Sequence, residues 1–525
     1  MKNLGNRYSQ HSFAQIPQAN MARSKFDRSA SVKTTMDFDE LTPILVEEIL
    51  PGDTMNLNVK SFLRLATQVV PVMDNMYVDY FFFFVPNRLV WDNWQKFCGE
   101  QTDPGDSTDY LIPTVTAHTP ITGDIYDQMG LPPQPLGYTH TALPFRAYNL
   151  IWNEWFRDEN LQNSVTVSKG DGPDSHALYA LKKRGKRHDY FTSALPWPQK
   201  GDAVSLPLGT TAPVVSDGNL FTVNSGSLGS DRTVGAAAAD NNLFAHGTIN
   251  GGNTGVYFGA TTGLEVDLTA ATAATINTFR LAMMTQSLLE LDARGGTRYT
   301  EILKAHFNVI SPDARLQRPE FLSGGTSVIN QHPVAQTSET NTTAQANLAS
   351  FATASETSNK VGFSKSFVEH GYVIGLAAPR ADITYQNSLN KMWTRSTRYD
   401  FFWPKLQELG EQTILNSEIY ITGTPATDDA VFGYQERYAE YRYKPSEIRG
   451  QFRSDYAQSL DVWHLAEDFA SVPSLNGTFI ESSTPIDRSL VTSSPYPALL
   501  CDYWFDIKHA RPIMTYGVPA TLGRF

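Results

Sequence analysis

A mainly β protein with a few helical excursions is what this sequence predicts, on three observations. Aromatic residues make up 12% of the chain, with 23 Tyr and 29 Phe, against 18% charged residues; such side chains suit a pleated, half-buried surface. Thirty Pro and 36 Gly punctuate the chain too often for long helices. Strand-like segments recur near both ends of the 525 residues, a length that fits about three domains or one core with large insertions.

The elements follow in order. Met55 to Leu65, MNLNVKSFLRL, alternates as a half-buried strand. Tyr77 to Val85, YVDYFFFFV, is almost continuously apolar and predicts a strand covered on both faces, with Pro86 ending it. It is too short to span a membrane, Asp79 interrupts its approach, and the mean hydropathy of the chain is −0.30. LVWDNWQKF and PFRAYNLIWNEWF read as helices. In the second, Phe145, Tyr148, Trp152 and Trp155 recur every three to four residues behind Pro144, the spacing of a packed face.

From Gly201 to Thr278 the composition shifts to Thr, Ala, Gly, Ser and Asn. That is too long for an ordinary loop, so it is expected as a small β-rich insertion or one steadied by neighbouring chains. A helix follows from about Phe279 to Leu291, stopped by Gly295 and Gly296, and TRYTEILKAHF reads as another. Gln336 to Lys360 is a second polar excursion. GYVIGLAA, SEIYITG, AEYRYK and WFDIKHARPIMTYGV then read as strands, with Ala439, Tyr441 and Tyr443 on one side of the third and Glu440, Arg442 and Lys444 on the other.

No phosphate-binding glycine loop, HExxH helix or GxSxG elbow occurs, so no catalytic residue, cofactor or metal is expected. His188 beside Asp189 reads as a loop histidine, because sequence neighbours in a strand point to opposite faces. Cys98 and Cys501 fit no zinc spacing and are expected as buried or isolated thiols in a reducing compartment. Neither a leader pattern nor a run of eighteen apolar residues is found, which argues against a signal peptide and a membrane span.

The net charge of −12 disfavours a polyanionic partner, but its distribution does not. Residues 1 to 33 hold Lys2, Arg7, Arg23, Lys25, Arg28 and Lys33 against the single acid Asp27, and LKKRGKRHDY collects Lys182, Lys183, Arg184, Lys186 and Arg187. Two basic patches on an acidic chain suit a polyanion met on one side, the plain alternative being a solvated tail and loop. Glu436, Arg437, Glu440 and Arg442 are the candidates for ion pairs across a subunit interface.

Five segments together resemble one family. SKFDRSASVKTTMDFDELTPILVEEILPGDTMNL, KRHDYFTSALPWPQKG, RLQRPEFLSGG, GYQERYAEYRYKPS and ARPIMTYGVPATLGRF are, in this order, similar to the major capsid proteins of the Microviridae, in particular the gokushovirus group of small single-stranded DNA phages. The resemblance implies a single eight-stranded antiparallel jelly roll with long insertions, assembled as pentamers into a T=1 icosahedral shell around circular single-stranded DNA. It also implies an internal scaffolding protein, a small basic DNA-binding protein, a DNA pilot protein, a host cell-surface receptor, and assembly in the bacterial cytoplasm before life in the virion.

On that basis the chain divides into a basic interior segment (1–40), the first part of the jelly roll (41–200), a surface insertion forming a threefold protrusion and contributing to host attachment (201–278), and the rest of the jelly roll with a polar loop at 330–360. The nucleic-acid-facing candidates are then Arg7, Arg23, Lys25, Arg28, Lys33, Lys182, Lys183, Arg184, Lys186 and Arg187, since an inner wall needs only cations and stackable aromatics. The competing reading is a carbohydrate-binding or carbohydrate-degrading β-sandwich, which also uses Trp-, Tyr- and Asn-rich loops.

Overall fold

Alternation of buried and exposed side chains runs through most of the long strands, and where both faces are apolar a second layer covers them. The computed structural model describes residues 23–133, 139–202, 204, 214–216, 222–225, 232–236, 243–245, 256–258, 264–266, 276–296, 299–308, 317–339, 342, 348–356, 361–492 and 496–516. It divides into two compact units, Met1–Pro198 with Ile310–Phe525, and Gln199–Val309.

The first unit is built on β1 (Ser24–Asp27), β2 (Ala30–Met36), β3 (Thr42–Ile49), β4 (Thr54–Leu65), β5 (Met76–Pro86), β6 (Glu320–Ala335), β7 (Leu348–Glu356), β8 (Gly362–Ser366), β9 (Gly371–Ala381), the hairpin strands β10 (Glu411–Leu415) and β11 (Val431–Glu436), and β12 (Leu499–Arg511). Ten of these form one antiparallel sheet, an eight-strand path β1-β12-β4-β7-β6-β5-β9-β3 with β2 beside β12 and β8 beside β4. Along β4, Met55, Leu57, Val59, Leu63 and Leu65 point inward while Asn56, Lys60, Phe62 and Arg64 point out. The sheet curls on itself: Tyr80 of β5 and Tyr503 of β12 are separated by three strands in the path, yet their rings stand 6.4 Å apart and Tyr80 Oη hydrogen-bonds Ser61 Oγ of β4 at 2.8 Å. This is the mainly β, jelly-roll class that the sequence predicts.

β5 has the two-sided cover expected of it. Tyr80, Phe82 and Phe84 enter the core inside the curl. Phe81, Phe83 and Val85 face outward beneath α1 (Leu143–Ile151) and the wider helical turn Trp152–Phe156 that continues it, with Phe156 5.1 Å from Phe81 and 5.9 Å from Phe83. Burying each ring contributes about 1.5–3 kcal/mol. Gly375 of β9 lies opposite Phe82, and a Cβ there would meet its ring at 2.6 Å.

Asp79 is buried in the same strand and accepts from Arg380 Nε at 2.7 Å, Thr326 Oγ1 at 2.5 Å, and Arg184. Burial pushes its pKa up, but these donors outweigh it and hold the carboxyl below its ordinary range. A second internal pair anchors the helical layer: Arg146 grips Asp174 with two bonds of 2.7 and 2.8 Å, both side chains being buried.

Several sequence expectations are corrected. Residues 439–444 form no strand: Tyr438 takes a left-handed φ of 62°, its N–H is capped by Gln412, and a 3₁₀ turn follows at Ala439–Tyr441. Their alternation misleads because Tyr441 and Tyr443 are both exposed. SEIYITG is likewise a helical turn (Asn416–Ile419), closed by Glu418 accepting from the Leu415 N–H, with strand pairing confined to the preceding β10. The polar loop at 330–360 includes the end of β6 and all of β7; small Ala, Ser and Thr side chains conceal the period of two that places Ala352 and Ala354 inside. LVWDNWQKF, which begins at the end of a 3₁₀ turn (Asn87–Leu89), supplies only one helical turn at Trp94–Phe97. The cysteines are as expected, both free thiols, Cys501 buried and Cys98 exposed.

Among the described residues the second unit carries six short strands between Val214 and Val266, then α2 (Ile276–Gly295) and α3 (Tyr299–Phe307).

Candidate nucleic-acid and subunit interfaces

Arg7 lies outside the described residues. Arg23, Lys25, Arg28 and Lys33 lie on or beside β1 and β2, held in register along β12. Arg23 donates to Thr54 Oγ1 at 2.6 Å, Arg28 pairs with Glu47 at 2.6 Å, and Lys33 pairs with Asp502 at 2.9 Å, while Lys25 is exposed without a bonding partner among the described residues. Ion pairs this open contribute about 0–1 kcal/mol, so a phosphate competes readily for their cations.

The second basic cluster splits by burial, because its backbone is stitched between two other segments: Leu41 N–H donates to the Lys182 carbonyl, Arg184 N–H to Asp39, and Lys186 N–H to Ile480. Arg184 is turned inward onto Asp79 and stands 5.1 Å from the Phe81 ring centre. Lys186 is buried, pairs with Glu467 at 2.7 Å and lies 4.3 Å from the Phe479 ring centre. Burial raises the Glu467 carboxyl pKa, and Lys186 opposes that shift. Lys182 is half-buried, with its pKa pushed down by burial. Lys183 and Arg187 are exposed, Arg187 standing 3.8 Å from Asp382.

The four interface candidates find partners within the chain. Arg442 pairs with Glu436 at 2.6 Å. Glu440 accepts from Arg395 at 3.1 Å and Gln412 at 2.6 Å. Arg437 reaches the Tyr399 carbonyl at 3.5 Å and stands 5.0 Å from the Tyr438 ring centre.

Glu440 and Arg442 also line a groove that the sequence reading did not assemble, a cavity of about 750 Å³ lined by six cations, Lys391, Arg395, Arg442, Lys444, Arg449 and Arg453, against three acids, Glu418, Glu440 and Glu447. Trp393 at its rim is 71% exposed, and Tyr441 and Tyr443 are half exposed. Lys391 is tied to Glu418 at 3.1 Å, Arg453 to the Gln386 carbonyl at 2.6 Å, and Arg449 to Glu447. Arg395 is sandwiched 4.3 Å from the Tyr441 ring centre, its Nε buried without a hydrogen-bond partner. Lys444 has no polar partner among the described residues. Cations for phosphate beside open aromatic faces for bases are what an unpaired nucleic acid strand requires. The signal was available in KMWTRSTRYDFFW, where cations and aromatics interleave, but folding was needed to bring it to Tyr441–Arg453.

His188 is exposed, and Asp189 is engaged elsewhere, accepting from Phe191 N–H at 2.9 Å, Thr192 N–H at 2.8 Å and Tyr385 Oη–H at 2.6 Å. That makes the carboxylate the organiser of a turn.

Comparison with known proteins adds an independent observation. The sequence matches the family described as Capsid protein (F protein) over residues 14–521. It is 61% identical to capsid protein VP1 of Bdellovibrio phage phiMH2K, across 99% of this chain and 100% of that protein. Identity is 41% to capsid protein VP1 of Chlamydia phage 1 and 35% to capsid protein VP1 of Spiroplasma virus 4, each across 97% of both chains.

Proposed function

This chain belongs to the phage capsid family described as Capsid protein (F protein), a structural component of the virion that associates with copies of itself, and from that premise we propose that it forms pentamers and a T=1 shell around circular single-stranded DNA. The groove at Lys391–Arg453 carries the nucleic-acid part of this reading. It pairs surplus positive charge with Trp393, Tyr441 and Tyr443, on a chain whose net charge is −12. Lumenal cations there, with Lys25, Lys33, Lys183 and Arg187, engage phosphates without reading sequence. The surplus negative charge elsewhere leaves room for a separate small basic protein to neutralise much of the genome, beside the scaffolding and pilot proteins.

The unit Gln199–Val309 is the surface-decorating part in this reading and contributes to host attachment, since segments held on a rigid sheet carry recognition. Family membership favours the capsid reading over the carbohydrate-binding alternative.

The test is particle-based. Lys444→Glu, Arg449→Glu and Arg453→Glu together are expected to leave shells of normal size but to lower the nuclease-protected DNA per particle several-fold. Wild-type DNA content in such shells overturns the groove assignment, and particles of another size overturn the T=1 architecture.

A further inference from the structure

Three histidines, His118, His140 and His176, meet just before the start of α1, brought there by three separate segments. Val115 pairs with His140 on one side and bridges to Asp174 on the other, and Thr116 N–H donates to the Asp174 carbonyl at 2.8 Å. His176 N–H donates to Thr116 Oγ1 at 3.2 Å, and its carbonyl accepts from Tyr126 Oη at 2.8 Å. The rings are thereby packed together. His118 lies parallel to His176 with ring centres 5.2 Å apart, meets His140 edge-on at 5.3 Å, and stands 4.1 Å from the Tyr126 ring.

Hydrogen bonds fix where the protons sit in the two half-buried rings. His118 Nδ1 is 3.1 Å from the Thr116 carbonyl and His140 Nδ1 is 3.2 Å from the Thr141 carbonyl. A carbonyl only accepts, so in each ring Nδ1 carries the hydrogen and Nε2 keeps a lone pair. Both Nε2 atoms are buried and have no hydrogen-bond partner among the described residues. A proton taken up there becomes a charged N–H with nothing to donate to, beside another imidazole.

The carboxylates around the cluster already have donors. Asp124 accepts from the Ile121 and Asp127 N–H groups, Asp127 from the Gly123 N–H, and Asp174 from Arg146 and Tyr179 Oη. The Tyr126 hydroxyl is spent on His176, and the start of α1 adds positive potential. Burial pushes the His140 pKa below the usual histidine range against the Thr141 carbonyl, and His118 adds to the shift.

We propose that this cluster is an acid-sensitive latch, which holds segments 114–118, 140–142 and 174–176 together while its imidazoles are neutral and lets them part when His118 and His140 take up protons. The opened segments protonate below about pH 6.5 and the closed ones resist it. The latch is therefore fully shut above that pH and loosens as pH falls below it. Val115, Tyr126 and Phe145 share an apolar cluster with Phe83 and Val85 of β5, so a loosened latch gives solvent a way into the layer over that strand. The device belongs to the folded chain and does not depend on the shell reading.

The experiment is amide hydrogen exchange of the full chain at pH 7.5 and pH 5.5, read by mass spectrometry and corrected for the intrinsic pH dependence of exchange. Peptides covering the three segments are expected to speed up at the lower pH by at least about tenfold more than peptides of β5 do. His118→Gln together with His140→Gln is expected to remove the difference, since glutamine takes up no proton. Equal protection at the two pH values overturns the latch. So does an acceleration that persists in the double variant, or one that vanishes in His509→Gln, which traces it to the sheet. Where the double variant does not fold, hydrogen exchange at the imidazole C2 positions of the wild-type chain decides. Protonation of His118 and His140 over the same pH range as the opening supports the latch, and either event without the other overturns it.

Discussion

The Asp79 junction and the Lys391–Arg453 groove are made of the same residue types, and they differ in what is left over. At the junction Arg184 and Arg380 stack on Phe81 and Tyr77 and converge on one buried carboxylate that also takes Thr326. In the groove Arg395 stacks on Tyr441 and meets Glu440 in much the same way, but Lys444 and the face of Trp393 stay open. Arginine beside aromatic therefore identifies neither scaffold nor site. Burial does: Asp79 and Arg380 are sealed from solvent, whereas Lys444 and Trp393 are exposed.

The junction should be the costlier place to intervene. Asp79→Ala leaves the buried Arg380 and the half-buried Arg184 without their shared counterion and is expected to destabilise the subunit by about 3–5 kcal/mol, read from urea unfolding of purified chains. A loss below about 1 kcal/mol would mean that water replaces the carboxylate and that the junction resembles the groove after all. Phe83→Ala removes the ring that packs on Phe156 and Trp155 and should cost about 3–5 kcal/mol, with the smaller end expected if the helical layer settles into the space.

Acid sharpens the contrast, since titration acts on the paired region first. His509 is buried, and burial together with Arg511 and Arg28 pushes its pKa down to about 4. The folded chain keeps it neutral while the unfolded chain takes up a proton below about pH 6.5. Its contribution is thus fully present above that pH and is lost as pH falls toward about 4. Asp79 and Asp174 are held below the ordinary carboxylate range, so their contributions are present above about pH 4 and disappear below it. Unfolding free energy measured at pH 7 and pH 5 should fall for the wild type and fall less for His509→Gln. Parallel slopes for the two would remove His509 from the account.

In the groove the expected stability effects are smallest. Lys444→Glu should change unfolding by no more than about 0.5 kcal/mol. Carried with Arg449→Glu and Arg453→Glu, it should flatten the salt dependence of single-stranded DNA binding by about two counterions.

The sequence made the scaffold far more legible than the surface. Eight apolar or aromatic positions around Asp79 announced a strand needing cover on both sides, and the aromatic spacing of Phe145, Tyr148 and Trp152 announced the layer that provides it. Strand β7 stayed hidden because LASFATASE alternates small side chains that differ little in polarity. The 439–444 turn was misread because its alternation is real and its burial is not. The basic run at Lys182–Arg187 marked charge correctly but gave no hint that Arg184 and Lys186 would find Asp79 and Glu467, which lie 105 and 281 residues away. Long-range pairing of this kind leaves no spacing in the chain, and the same holds for the groove, whose walls come from four stretches around Tyr190, Lys391, Glu418 and Tyr441.

A reconstruction of the assembled particle at side-chain resolution tests the central claim most directly. The account predicts Phe81–Phe84 and Asp79 sealed within each subunit, and the Lys391–Arg453 groove on the lumenal wall with nucleotide density against Lys444, Arg449 and Trp393. A groove that opens on the outer surface, or one filled by side chains of a neighbouring subunit, would contradict it.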